Sequence, residues 1–162
     1  MTGIRPVLAL DLATATGWAL RDQSSTITGG VQTFPLRRGE SPGMRWLRFR
    51  RWLREVLELG EMKGRGVVAC ELPLAGGRGA RMGIGRELST IVEEEAAAQG
   101  IETTGIYPSS LKKWATGKGN APKGAMLEAA RRRYPDLDIT DDNHADALLV
   151  LAWALEEIGE EL

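Results

Sequence analysis

Cysteine and histidine occur once each, at Cys70 and His144. A lone thiol excludes an internal disulfide and any zinc site built on cysteines. No apolar run approaches the ~20 residues that a membrane helix needs, and the longest runs are bounded by charges. The first residues carry no basic region, long apolar stretch or small-residue cleavage site of a secretory leader. Internal repeats and low-complexity linkers are missing as well. After residue 133 there is no lysine or arginine. A reducing, cytoplasmic setting with no membrane partner is the expectation.

What is present is ordinary globular composition, 162 residues with 43% hydrophobic and 27% charged, which excludes wholesale disorder. The length fits one domain, residues 1–162, with a real core but no room for a two-domain enzyme around an internal cleft. A net charge of −1 speaks against a nucleic-acid partner only until the charges are located. Residues 1–133 hold all 21 basic side chains against 13 acids, a local excess of +8, and the last 29 residues hold nine acids. A basic binding face would produce this asymmetry. So would a solvated surface with an acidic tail.

Residues 6–12 form an apolar run with a carboxylate near its end, as a buried strand would. Residues 17–21 and 26–34 read as two more strands, completing an antiparallel meander. From about residue 42 to 59 the period changes. Trp46, Phe49, Leu53, Val56 and Leu57 fall on one helical face, with Arg48, Arg51 and Arg54 broadly opposite. Gly60 and Gly64 are the expected stop. Residues 67–72 are a second buried-strand run that reaches an acid. Residues 76–85 hold five glycines with Arg78 and Arg81, too many for an expected helix. A helix over 86–99, a fifth strand over 101–107 and helices over 108–116, 122–134 and 140–158 complete the chain. The expected architecture is α/β, a mixed five-stranded sheet flanked by helices.

Three regions place carboxylates where such a fold does chemistry. Asp11 and Glu71 end apolar strands, and open α/β sheets bind their ligands beside those strand ends. Asp142 and Asp146, four residues apart, share one face of the last helix. Acids gathered from two strands and a helix repel unless a cation holds them, and Mg²⁺ or Mn²⁺ is the oxygen-seeking choice. Two such ions ~3.5–4 Å apart support phosphodiester hydrolysis. Each acid also has a plainer reading. Asp141 or Asp142 suits a helix N-cap, and strand-end acids are common turn residues.

The chain resembles the RuvC-like Holliday junction resolvases, in the compact form common in phages, on an RNase H-like fold. Four motifs carry the resemblance, in the family's order, from Leu8 to Trp153. The first is Leu-Ala-Leu-Asp11-Leu-Ala-Thr-Ala-Thr-Gly17-Trp18-Ala, and the second Val-Val-Ala-Cys-Glu71. The third runs from Leu111-Lys112-Lys113-Trp114 through Gly117-Lys118-Gly119 to Lys123. The fourth is Asp142-Asn-His-Ala-Asp146-Ala-Leu. The resemblance implies that Asp11, Glu71 and Asp146 are metal ligands and that Lys112 and Lys123 lie near the scissile phosphate. It also implies Mg²⁺-dependent cleavage of branched DNA by a homodimer, leaving 5′-phosphate and 3′-hydroxyl ends.

The sequence departs from the family pattern in three places. The loop between Asp11 and Gly17 is one residue shorter than in the cellular enzymes. Their fourth ligand stands three residues before the final Asp, where this chain has Asn143. Asp142 is the preferred substitute, since it lies ~40° around the helix from Asp146 against ~60° for Asn143, and His144 points elsewhere. Leu74 stands where those enzymes place an aromatic that probes the junction centre. The Gly117–Lys123 segment lacks the Walker pattern, and 162 residues supply only one of the two halves an actin-like kinase needs.

Candidate phosphate contacts are Arg48 and Arg51, then Arg78, Arg81 and Arg86, then Lys112, Lys113, Lys118 and Lys123, with Arg131, Arg132 and Arg133 suiting a helix C-terminus equally well. Lys123 is also a candidate stabiliser of the reacting phosphoryl oxygens. Trp46, Trp52, Trp114 and Trp153 read as core or dimer contacts; Trp18 sits beside the site. Two other functions stay open: an RNase H-like nuclease acting on hybrids or flaps, and a branched-DNA binder without catalysis.

Overall fold

The computed structural model describes residues 3–72 and 80–159, the side chains at 80–83 excepted. Strands β1 (Val7–Asp11), β2 (Ala15–Arg21) and β3 (Ile27–Thr33) form the antiparallel meander. Strand β4 (Val67–Glu71) lies parallel to β1, and β5 (Glu102–Ile106) parallel to β4, giving the order β3-β2-β1-β4-β5. The helices are α1 (Pro42–Leu59), α2 (Ala80–Gln99), α3 (Pro108–Thr116), α4 (Lys123–Arg133) and α5 (Asp142–Glu157).

Strand alternation sorts the core into two faces. Leu8, Leu10, Leu20, Val68 and Cys70 point to one side, where α1 and α2 cover them with Phe49, Leu53, Leu57, Leu88 and Val92. Val7, Ala9, Ala19, Val67 and Ala69 point to the other, where α5 lies. The second set is made of small side chains, so α5 approaches the sheet closely. Helix α5 is in turn covered by Leu111 of α3 and Met126, Ala129 and Ala130 of α4. That is why its sequence is apolar all round, with Leu148, Leu149, Val150, Leu151 and Leu155 fully buried. Truncating one of these leucines to Ala would cost about 2–5 kcal/mol.

Two helices are joined by charge as well as by packing. Glu95 of α2 accepts hydrogen bonds from Arg50 at 2.6 Å and from Arg54 at 2.9 Å, both on α1. These hydrogen bonds hold Glu95 below its ordinary pKa.

The helix expected over 86–99 begins earlier, at Ala80. Glycine lowers helix propensity by about 1 kcal/mol relative to Ala, which is why the region reads as loop. At Gly85 the helix passes over the β1–β2 turn, where a Cβ would lie 3.7 Å from the Leu12 carbonyl. Tertiary contact outweighs propensity there. The expectations for Leu74 and Arg78, and for the Arg81 side chain, concern positions outside the described residues.

Candidate active site

The alternation that sorts the core also aims the acids. Asp11 continues the Val7, Ala9 series and Glu71 the Val67, Ala69 series, so both carboxylates leave the sheet on the α5 side. The parallel register pairs Val7 with Val67 and Leu10 with Cys70, and the same offset sets Asp11 beside Glu71. The antiparallel partner of Asp11 is Gly17. A Cβ on Gly17 would fall 1.8 Å from the backbone oxygen of Asn143. Only a residue without a side chain lets the first turn of α5 settle on the sheet at this point.

The start of α5 divides its acids by task. Asp141 is the N-cap, its carboxylate accepting from the backbone N–H of Asn143 at 2.7 Å and of His144 at 3.3 Å. Asp142 is thereby spared from capping. Asp146, one turn further on, reaches the strand acids. Carboxylate oxygens of Asp11, Glu71 and Asp146 all lie within 4.8 Å of one another.

This crowding shows in the acidities. Asp11 is pushed from 3.8 up to about 8, by burial first and then by Glu71, Asp146 and Asp141, with Lys123 opposing. Glu71 rises from 4.5 to about 7 through burial and Asp146, with Lys112 opposing. Asp146 rises from 3.8 to about 6 through burial and Asp142, against Lys112 and Lys123. Three buried carboxylates that resist ionising together are a donor set suited to a hard divalent cation.

A cleft of about 270 Å³ opens beside the triad, lined by Glu71, Asp142 and Asp146 on one side and by Lys112 and Lys123 on the other. Pro108, Leu111, Pro122 and Met126 complete its walls. Both lysines are delivered by helix starts. Pro108 opens α3, which carries Lys112, and Pro122 is the N-cap of α4, of which Lys123 is the first residue.

The other basic candidates lie apart from this cleft. Lys113, Lys118, Arg51 and Arg86 are exposed. Arg48 is held by Glu40 through two hydrogen bonds of 2.5 and 2.6 Å and donates a third to the Pro35 carbonyl. Glu40 sits on a connecting segment, so no helical spacing in the sequence signals the pair. Arg133 stacks 4.1 Å over the Trp114 ring, and Arg131 donates to the Ile139 carbonyl. Trp18 joins the α1 face, edge-on to Trp52. His144 is half-buried and faces β3, its Nε2 3.1 Å from where a Cβ on Gly29 would lie. Burial lowers its pKa, against the pull of Asp141. A second groove, formed by the β1–β2 turn, Ile84 and Asn143, has no counterpart in the sequence reading.

The fold is RNase H-like, in the form seen in RuvC. The structure of Thermus thermophilus RuvC is similar at a TM-score of 0.72 and 18% identity, over 95% of this chain and 96% of the other. T. thermophilus RuvC in complex with Holliday junction substrate is similar at 0.74 and 17% identity, over 98% and 100%. The yeast mitochondrial Holliday junction resolvase is similar at 0.59 and 14% identity, over 92% and 78%. No protein-family model and no curated protein sequence matches the chain. No helix among the described residues is long and apolar enough to cross a membrane.

Proposed function

We propose that this chain is a divalent-metal-dependent endonuclease that resolves four-way DNA junctions by paired nicks. The observation that carries the reading is the triad Asp11, Glu71 and Asp146, within 4.8 Å, facing Lys112 and Lys123 across one cleft. Its setting on the fold of RuvC adds support. A branched-DNA binder without catalysis would need the lysines but would gain nothing from buried, mutually repelling acids.

Asp11, Glu71 and Asp146 would hold the metal, with Asp142 completing a second position beside Asp146. When bound, Mg²⁺ or Mn²⁺ supplies water activation and charge neutralisation, the chemistry of phosphodiester hydrolysis. Lys112 and Lys123 bind the scissile phosphate opposite the acids, and Lys123 offsets charge on the phosphoryl oxygens as the transition state forms. The remaining exposed bases attach the duplex arms without reading sequence. Two copies of the chain related by a two-fold axis would cut opposed strands symmetrically. Single-domain organisation over residues 1–162 belongs to the same reading.

The test offers labelled four-way junction, linear duplex of the same sequence and RNA/DNA hybrid side by side with Mg²⁺. Paired nicks confined to the junction support the proposal. Equal cutting of duplex, or cutting of the hybrid alone, would replace it with another RNase H-like nuclease.

A further inference from the structure

The second groove holds about 420 Å³ and is lined by Leu12, Ala13, Thr14 and Ala15 of the β1–β2 turn, Ile84 of α2 and Asn143 of α5. Sites for small organic ligands span about 300–1,000 Å³. The groove is joined to the carboxylates by the chain itself, since Leu12 follows Asp11 and Asn143 follows Asp142. Consecutive residues of α5 serve different cavities. Asp142 lines the lysine cleft and Asn143 the second groove.

The lining suits one kind of occupant. It contains no cation, so a phosphate would sit there uncompensated; the lysine cleft already serves that charge. The walls are apolar except for the Thr14 hydroxyl and the Asn143 carboxamide. A nucleobase matches this, with apolar faces and a hydrogen-bonding edge. The turn is also preformed. The buried hydroxyl of Thr16 donates to the Ala13 carbonyl at 2.6 Å, clasping residues 13–16. Asn143 uses its backbone N–H on the Asp141 cap, while among the described residues its carboxamide has no hydrogen-bond partner. That carboxamide offers a donor and an acceptor side by side, the pattern that pairs with adenine.

We infer that the groove between the β1–β2 turn, Ile84 and Asn143 is a nucleobase subsite beside the scissile phosphate, with Asn143 reading the base edge in favour of adenine. The inference deepens the proposed nuclease function. It makes Asn143 a specificity-determining residue and leaves the metal to the acids.

The test is an NMR titration of the full chain without metal, using dAMP, dCMP and inorganic phosphate as probes. The expected result is that dAMP shifts the Leu12 and Ile84 methyl signals and the Asn143 side-chain amide, while inorganic phosphate leaves them in place. Asn143→Leu should weaken dAMP at least about fivefold, the low end of what a bidentate amide–base pair is worth. Ile84→Ala provides a second variant that leaves the first turn of α5 intact, and it too should weaken dAMP. Methyl signals that ignore dAMP, or a dAMP affinity unchanged in both variants, would overturn the subsite. Equal shifts by dAMP and dCMP would overturn the adenine reading. Failure of the nuclease proposal looks different: the junction stays uncut while dAMP still seats in the groove.

Discussion

At the residue scale, neighbouring acids at the start of α5 have different duties. Asp141 caps the helix, and Asp142 points into the lysine cleft. If Asp142 completes the metal site, Asp142→Asn lowers the cleavage rate at least tenfold and raises the Mg²⁺ concentration needed for half-maximal rate. Asn143→Ala and His144→Ala leave that Mg²⁺ midpoint unchanged. Asn is the informative replacement, because it would preserve a cap and abolishes a charge. A Mg²⁺ titration of single-turnover rates decides the matter, and a near-wild-type Asp142→Asn midpoint would remove Asp142 from the site.

The triad also makes a stability prediction. In the metal-free protein Asp11, Glu71 and Asp146 have folded-state pKa values of about 8, 7 and 6, above the ordinary carboxylate range. Between the ordinary values and these raised ones the folded chain binds more protons than the unfolded chain. Its stability therefore falls as pH rises through this window. Thermal melts in EDTA should show Tm dropping between pH 6 and pH 8, with the slope reduced in Asp11→Asn and offset by saturating Mg²⁺. A Tm that rises with pH across that range would mean the acids are not crowded as described.

At the scale of elements, the strands that carry the acids were legible because short apolar runs ending in Asp or Glu leave few alternatives. Period two then fixed the face, once α5 was known to lie on the Ala/Val side. Helices α3, α4 and α5 were readable to within two residues of their observed bounds from proline starts and composition. The start of α2 was not, because the contact of Gly85 with the β1–β2 turn is tertiary and propensity is local. The pairing of Arg48 with Glu40 was hidden for the same reason. Gly17 was legible as part of a motif but not in its purpose, which is to admit the α5 backbone. Gly17→Ala should push the first turn of α5 off the sheet and cost about 1–3 kcal/mol. Single-turnover cleavage should fall further than the folded fraction alone explains. Activity that simply tracks the folded fraction would mean that α5 tolerates the shift.

For the whole molecule, the net charge of −1 hides a division between a basic first 133 residues and an acidic end. The structure refines which bases remain available. Lys112 and Lys123 face the cleft, whereas Arg48 is committed to Glu40. Replacing Lys112 and Lys123 together by Ala should flatten the log–log salt dependence of junction binding by about two units, at roughly 0.9 for each phosphate no longer neutralised. Replacing Arg48 should flatten it less, and a slope unchanged by the double replacement would put both lysines outside the interface. The central claim is that the buried triad turns junction binding into cutting. It is tested most directly by comparing wild type with Glu71→Gln at saturating enzyme, reading junction affinity and Mg²⁺-dependent nicking in the same samples. Near-wild-type affinity and at least a thousandfold loss of nicking are the expected result. Full nicking by the Glu71→Gln protein, or affinity and nicking abolished together, would contradict it.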